Sequence, residues 1–284
     1  DYRSIVLVNK TDLLPGFVHP TEIADWIKDR LAEEDIVPEN IAFISAKSKY
    51  GINGVIRKIK SIFPDKKVKA VVLGVSNVGK SSVINLLLGK NKITTSKYSG
   101  TTLKSINNKI PDTNITITDT PGLIPKEKRL SDMISVETGL KLVPVGEISR
   151  KTFKLEEGQV FMFDAFCWFK VKENNIVNKT EEETGYKPIF SAYSSKNVKF
   201  HLTKEERVEE LLEGDFFELL KGEEKKKYFE NEFVTFKTTV KENEDLAISG
   251  LGWINVKRGP LAIELTVPKG VKTVVRPSIF KGKK

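Results

Sequence analysis

The chain has 284 residues, 39% of them hydrophobic and 30% charged. That is room for two domains, with the balance of a globular protein rather than a disordered or collagen-like one. No run approaches the roughly 18 apolar residues of a membrane span, and the opening DYRSIVLVNK has neither signal-peptide nor transit-peptide layout. One cysteine, Cys167, excludes an internal disulfide framework and a cysteine-built zinc cluster within the chain, and points to a reducing compartment. The net charge of +9 is unevenly placed: +7 over residues 1–150, −5 over 151–250 and +7 over the last 34. A basic segment behind an acidic one suggests a polyanion-facing surface near the C-terminus; the plainer reading is solvated lysines kept for solubility.

In chain order, residues 5–8, 41–44, 70–73 and 115–118 read as strands, with a weaker edge strand over 103–110. Thr21 is placed to cap a helix on which Ile23, Trp26, Ile27 and Leu31 recur at helical spacing. Ile52, Val55, Ile56, Ile59 and Ile62 form a second helical stripe before Pro64, and 80–88 reads as a buried helix. Strands alternating with helices predict an α/β domain with an open, mostly parallel sheet. From about residue 150 the texture changes: 161–171, 233–240 and 261–267 are rich in β-branched and aromatic residues. Residues 203–228 read as one helix or two, Thr203 and Glu206 having capping-box spacing. Residues 174–185 are polar and read as a loop.

Each polar motif follows a strand, which is where open α/β sheets hold ligands. Gly74-Val75-Ser76-Asn77-Val78-Gly79-Lys80-Ser81 matches the phosphate-binding loop pattern. Its glycines let backbone N–H groups curl inward onto phosphate oxygens, and the following helix adds its positive end. Lys80 is assigned to the β- and γ-phosphates and Ser81 to Mg²⁺, with Ser76, Asn77, Val78, Gly79 and Ser82 completing the phosphate site. Asn9, Lys10 and Asp12 form an NKxD tetrad with Thr11: the Asp12 carboxylate suits the paired donors of guanine, and Asn9 the O6/N7 side. Ser45-Ala46-Lys47 would bring the Ala46 N–H to the guanine O6. Asp119-Thr120-Pro121-Gly122 would hold Mg²⁺ through Asp119 and water and contact the γ-phosphate through the Gly122 N–H; within Ser99-Gly100-Thr101-Thr102, Thr102 would reach the metal. Each of these last two motifs, taken alone, is also an ordinary turn.

Together these five elements resemble the translation-factor-related, Ras-like GTPases, but in rotated order. NKTD and SAK precede the phosphate loop instead of following DxxG, so the chain looks like a circularly permuted GTPase. The tail SGLGWINV (249–256) and VPKGV (267–271) is similar to the C-terminal part of the YqeH family. That resemblance implies a permuted GTPase domain over 1–148 and a smaller β-rich α+β domain over 149–284 that binds RNA or protein. It further implies slow GTP hydrolysis with Mg²⁺, gating attachment to ribosomal RNA or the small ribosomal subunit during its assembly. The family's zinc knuckle, and the strand and helix before NKxD, have no counterpart here; five strands are counted where a GTPase domain has six, and zinc is not expected in this chain.

Leu123 stands where a glutamine normally orients the attacking water and has no hydrogen-bonding group. Asn77 occupies the place at which potassium-dependent GTPases ligand K⁺, which would stand in for an arginine finger; its other reading is a loop-stabilising side chain. Lys80, Thr102, Gly122 and Asn77 are thus the candidate catalytic residues. His19 and His201 read as surface histidines and Cys167 as core, while Trp253 either stacks on a base or packs beneath a turn. Two rival readings stand beside the GTPase: a GTP-gated scaffold with negligible hydrolysis, which Leu123 favours, and an ATP-using P-loop enzyme, which NKTD disfavours. A monomer in the cytoplasm, or in an organellar matrix, is expected, with neither DNA nor a membrane as partner.

Overall fold

A computed structural model describes residues 3–75, 77–89, 106–120, 122–123, 127–173 and 187–280. The chain divides into two compact units, Asp1–Lys126 and Glu127–Lys284.

In the first unit, strand β1 (Ile5–Val8) pairs in parallel with β2 (Asn40–Phe43), and helix α1 (Ala24–Ala32) lies between them in sequence. The start of α1 differs from expectation. A 3₁₀ turn, Pro20–Ile23, precedes it, and His19 rather than Thr21 is the cap: its Nδ1 accepts from the Thr21 N–H while its own N–H donates to Glu22 Oε1 at 2.9 Å. Proline at the first position favours that tighter turn. Helix α2 (Ile52–Ile62) buries Ile52, Val55 and Ile59, which lie on one face at spacings of three and four. Strand β3 (Val68–Val72) leads through the phosphate loop into helix α3 (Lys80–Leu88); β4 (Ile106–Lys109) and β5 (Ile115–Asp119) follow.

Strand β5 pairs in parallel with β3 and antiparallel with β4, giving the order β3-β5-β4. The described strands therefore form a three-stranded sheet and a separate two-stranded pair, not one continuous open sheet. Between β1 and β3 no backbone ladder forms; side chains of residues just after β1 reach the phosphate loop instead. Both sheets still share one core, with Ile44, Ile84, Leu88 and Ile115 almost fully buried between strands and helices.

The second unit begins earlier than the expected boundary at 148. Helix α4 (Val136–Leu142) and the 3₁₀ turn Leu130–Asp132 pack into its core through Leu130 and Leu142. The Leu130 N–H donates to the Ser249 carbonyl at 2.7 Å, and Thr138 Oγ1 to Glu224 Oε2 at 2.8 Å. Among the described residues ten strands follow: β6 (Ser149–Lys154), β7 (Gln159–Phe163), β8 (Cys167–Glu173), β9 (Ile189–Ser194), β10 (Phe200–Lys204), β11 (Phe233–Val240), β12 (Glu244–Ile248), β13 (Gly252–Arg258), β14 (Leu261–Pro268) and β15 (Thr273–Pro277). They make two antiparallel sheets, β10-β7-β8-β14-β11 and β15-β12-β13-β9-β6. Alternating apolar residues of both sheets meet in one core: the Phe161 ring lies 4.9 Å from Phe153 and from Phe190 and 5.2 Å from Phe163 and from Phe169, mostly edge-on. The expected helical stretch resolves into two short helices, α5 (Val208–Glu213) and α6 (Gly222–Phe229). Thr203 caps nothing; it belongs to β10, paired with Val160, because the strand runs on to Lys204 before the chain turns.

Asp164, in the turn between β7 and β8, is 1% exposed with φ of 51°. Burial lifts its carboxyl from the usual 3.8 to about 6, although the N–H groups of Ala165 and Lys199 bond to it. Because the folded value lies above the unfolded one, this group favours folding most below about pH 4, and that advantage is lost as pH rises through about 6. Asp164→Asn, which tolerates the left-handed backbone, is expected to remove a pH dependence on the order of 1–3 kcal/mol across that window, measured by urea unfolding at pH 4 to 8.

Candidate functional site

The turns after β1, β2, β3 and β5 converge. Gly79 is the first point of closure: its φ is 93°, and a Cβ there would lie 2.4 Å from Asn9 Nδ2, so the chain needs glycine both for its backbone and for the approach of Asn9. Asn9 uses both ends of its amide. Nδ2 donates to the Val78 carbonyl at 2.9 Å, and Oδ1 accepts from the Ala46 N–H at 3.1 Å. Lys10, in the left-handed region at φ of 65°, donates through Nζ to the Asn77 carbonyl at 2.8 Å. Partial loss of water around its ammonium pulls Lys10 below the ordinary lysine value, and the Asp12 carboxylate pulls it back up. Asp12 Oδ1 accepts from Ser45 Oγ at 2.6 Å, and Ser45, itself 1% exposed, accepts from the Ser48 N–H. NKTD, SAK and the phosphate loop are thereby joined by direct hydrogen bonds.

At the phosphate end, Lys80 Nζ donates to the carbonyls of Gly74 and Val75, each at 2.9 Å. The Leu123 N–H donates to the Gly74 carbonyl at 3.1 Å, tying the end of DTPG to the loop. Ser81 Oγ donates to Asp119 Oδ2 at 3.1 Å, and Asp119 is wholly buried. A hydroxyl and a carboxylate, both hard oxygen donors, meet at the start of α3, a donor set suited to Mg²⁺. Among the described residues no group of three or more His, Cys, Asp or Glu side chains is arranged to hold a metal.

Asn77, with φ of 66°, and Lys47 are exposed, and Ser82 is half-buried in the first turn of α3. Leu123 is 62% exposed. Ser76 and Thr102 lie outside the described residues, as does Pro121 of DTPG. Asn9 and Ala46, the two residues assigned to the O6/N7 side of guanine, lie side by side, the Ala46 N–H donating to Asn9 Oδ1. Two threonines carry structural bonds that the motif reading passed over. Thr11 Oγ1 donates to the Ile44 carbonyl and Thr120 Oγ1 to the Val72 carbonyl, each joining the end of one strand to its neighbour. Both residues sit inside quoted motifs at variable positions, which was the available signal.

Other singled-out residues are structural. The His201 ring lies 4.5 Å from Phe216 at a tilt of 58°, and burial with nearby Lys199 and Arg207 holds it below the ordinary histidine value. Burial pushes the Cys167 thiol far up. Trp253 lies flat on Tyr193, ring centres 4.8 Å apart at 5°.

A glycine-bounded loop between strand and helix, its lysine and serine, and an aspartate-bearing tetrad bonded to that loop define a P-loop GTPase domain. A family model described as 50S ribosome-binding GTPase matches residues 69–227, and one described as YqeH-like, C-terminal, matches 187–279. The chain is 31% identical to Bacillus subtilis YqeH over 97% of its own length and 74% of the relative's. It is 25% identical to a rice protein with the printed name "Putative nitric oxide synthase", covering 98% of this chain and 57% of that one. It is 30% identical to a Mycoplasma pneumoniae protein named "Probable ribosome biogenesis GTPase A", over 59% and 63%. The chain belongs to the YqeH family of GTPases.

Loss of the Asn9 amide removes the bonds to both Ala46 and Val78. Asn9→Ala is expected to weaken GTP and GDP alike, by roughly tenfold to a hundredfold at about 1 kcal/mol per lost bond; titration calorimetry with both nucleotides measures this.

Proposed function

We propose that this chain is a circularly permuted GTPase that hydrolyses GTP slowly, with Mg²⁺ and stimulated by K⁺, and whose nucleotide state gates its attachment to the small (30S) ribosomal subunit during assembly. The observation that carries the reading is the bonding of Asn9, Lys10 and Asp12, near the chain's beginning, to the phosphate loop and Ser45. An aspartate anchored this way is positioned for a guanine edge while Lys80 serves the phosphates.

In this mechanism Lys80 exchanges the Gly74 and Val75 carbonyls for β- and γ-phosphate oxygens. Ser81, Thr102 and, through water, Asp119 would hold Mg²⁺, which would supply neutralising charge to the phosphates. The Gly122 N–H meets the γ-phosphate. Asn77, exposed and with its carbonyl held by Lys10, offers a neutral side-chain oxygen to K⁺ beside the same phosphates. Hydrolysis is expected to run at least several-fold faster in KCl than in NaCl, with Asn77→Ala abolishing the difference; phosphate release in the two salts measures it.

Relatives named for ribosome biogenesis support the assembly role, and the basic C-terminal segment supports RNA as the surface met. The place of action is the cytoplasm and the working form a monomer. Leu123, exposed and without a hydrogen-bonding group, favours a second reading: a GTP-gated scaffold that turns over only on its partner. Sedimentation with isolated small and large subunits under a GTP analogue, GDP or no nucleotide tests the proposal. Binding to small subunits that depends on nucleotide is expected; binding that ignores nucleotide overturns the gate. Turnover with and without particles separates enzyme from scaffold.

A further inference from the structure

We propose that the groove between α5, α6 and the outer face of the sheet β10-β7-β8-β14-β11 docks a basic amphipathic peptide segment of a partner protein, a role that does not depend on the nucleotide-gated reading above. The alternation that sends Phe161, Phe169 and Leu265 into the core turns their strand neighbours Val160, Trp168 and Thr266 to the opposite face. Part of that face is closed by rings: Phe229 of α6 stacks on Phe233 and Phe233 on Trp168, with centres 5.7 and 5.6 Å apart. The two helices leave a cavity of about 900 Å³ over the rest. The sheet contributes Val160 and Trp168 to its lining, α5 contributes Val208 and Leu212, and α6 contributes Phe229. Of these only Val160 is buried, so the apolar lining still meets solvent. A cavity of this size takes the side chains of a few residues rather than a folded surface.

The charge around this lining identifies the occupant. Residues 205–215 carry six carboxylates against one arginine. Some charges at the groove are matched within the chain: Glu205 pairs with Lys170, and Glu264 with Lys172 at 3.0 Å. Lys225 donates to the carbonyls of Glu213 and Gly214 at 2.9 and 2.6 Å, and Lys226 pairs with Glu223 of its own helix. Glu209, Glu213 and Asp215 also line the groove and are exposed, and among the described residues no cation forms an ion pair with them. Three unmatched carboxylates beside aliphatic and aromatic side chains complement a segment with apolar residues on one side and Lys or Arg flanking them. Its apolar side chains would displace water from Leu212, Trp168 and Phe229, and its cations would meet the three carboxylates and the Trp168 indole. A polyanion is repelled at the same place, so the groove is not a surface for RNA.

The test uses the full chain and a fluorescein-labelled peptide with leucines at i, i+3, i+4 and i+7 and arginines between them, followed by anisotropy. A second peptide of the same composition scatters the leucines. The wild type is expected to bind the patterned peptide at least about tenfold more tightly than the scattered one. Glu209→Gln with Glu213→Gln, two exposed positions where glutamine keeps the helix, weakens that binding at least about tenfold, and Leu212→Ala at least about threefold. Glu157→Gln with Glu242→Gln removes the same charge from exposed positions elsewhere in this unit and stays within about twofold. Basal GTP hydrolysis is unchanged in all of these variants, since none of the residues belongs to the nucleotide site. Equal losses from the two glutamine pairs would mean that net charge alone is read, which overturns the proposal. So would equal binding of the two peptides, no binding of either by the wild type, or displacement of the patterned peptide by a single-stranded RNA that itself binds the groove variants more weakly.

Discussion

The nucleotide site depends on one side-chain amide. Asn9 stands at the end of a strand belonging to the two-stranded pair, and the loop it holds leaves a strand of the three-stranded sheet. No backbone ladder joins these two sheets, so the hydrogen bonds of Asn9 and Lys10 stand in for one. They also explain why the residue at 79 has no side chain: the space a Cβ would take is already filled by the Asn9 amide. Lys80 and Ser81, the next two residues, start the helix from a position set by that contact.

Much of this was legible in the sequence because a phosphate loop is a local object. Its glycines, lysine and serine are contiguous, and the apolar run before it and the buried helix after it carry their own periodicities. The five strands of the first unit and helices α2 and α3 followed from the same short-range signals. What escaped was non-local. Nothing in the pattern shows that Asn9 bonds to Ala46, since a motif states which residues meet a ligand and not how they hold each other without one. The start of α1 turned on His19, a residue that caps only when its ring nitrogen happens to face the turn. The boundary between units differs because no strand pattern or motif marks residues 127–148, while Leu130 and Leu142 are claimed by a core formed from strands far along the chain.

In the second unit the aromatic richness of residues 161–171 predicted strands but not which sheet each would join. Phe161 and Phe190 come from different sheets and meet edge to face, a contact fixed by the pairing of β9 with β13 and of β7 with β8. The same pairings segregate charge. Acidic residues of 205–215 gather over one sheet while the basic residues of β6 and β13 lie on the other, so the alternating balance along the chain becomes a division between two surfaces.

Strand β6 has a consequence beyond ligands. Among the described residues it lies at the end of its sheet, with a strand laddered on one side only, and such a margin invites a neighbouring molecule to continue the sheet. Three of its six residues, Arg150, Lys151 and Lys154, are cationic and exposed, and Thr152 is an exposed polar group beside them. At the opposite margin, β15 ends in Pro277, which lacks the N–H that an incoming strand would need. Electrostatic repulsion at one border and a missing donor at the other both disfavour edge-to-edge pairing of copies through this sheet.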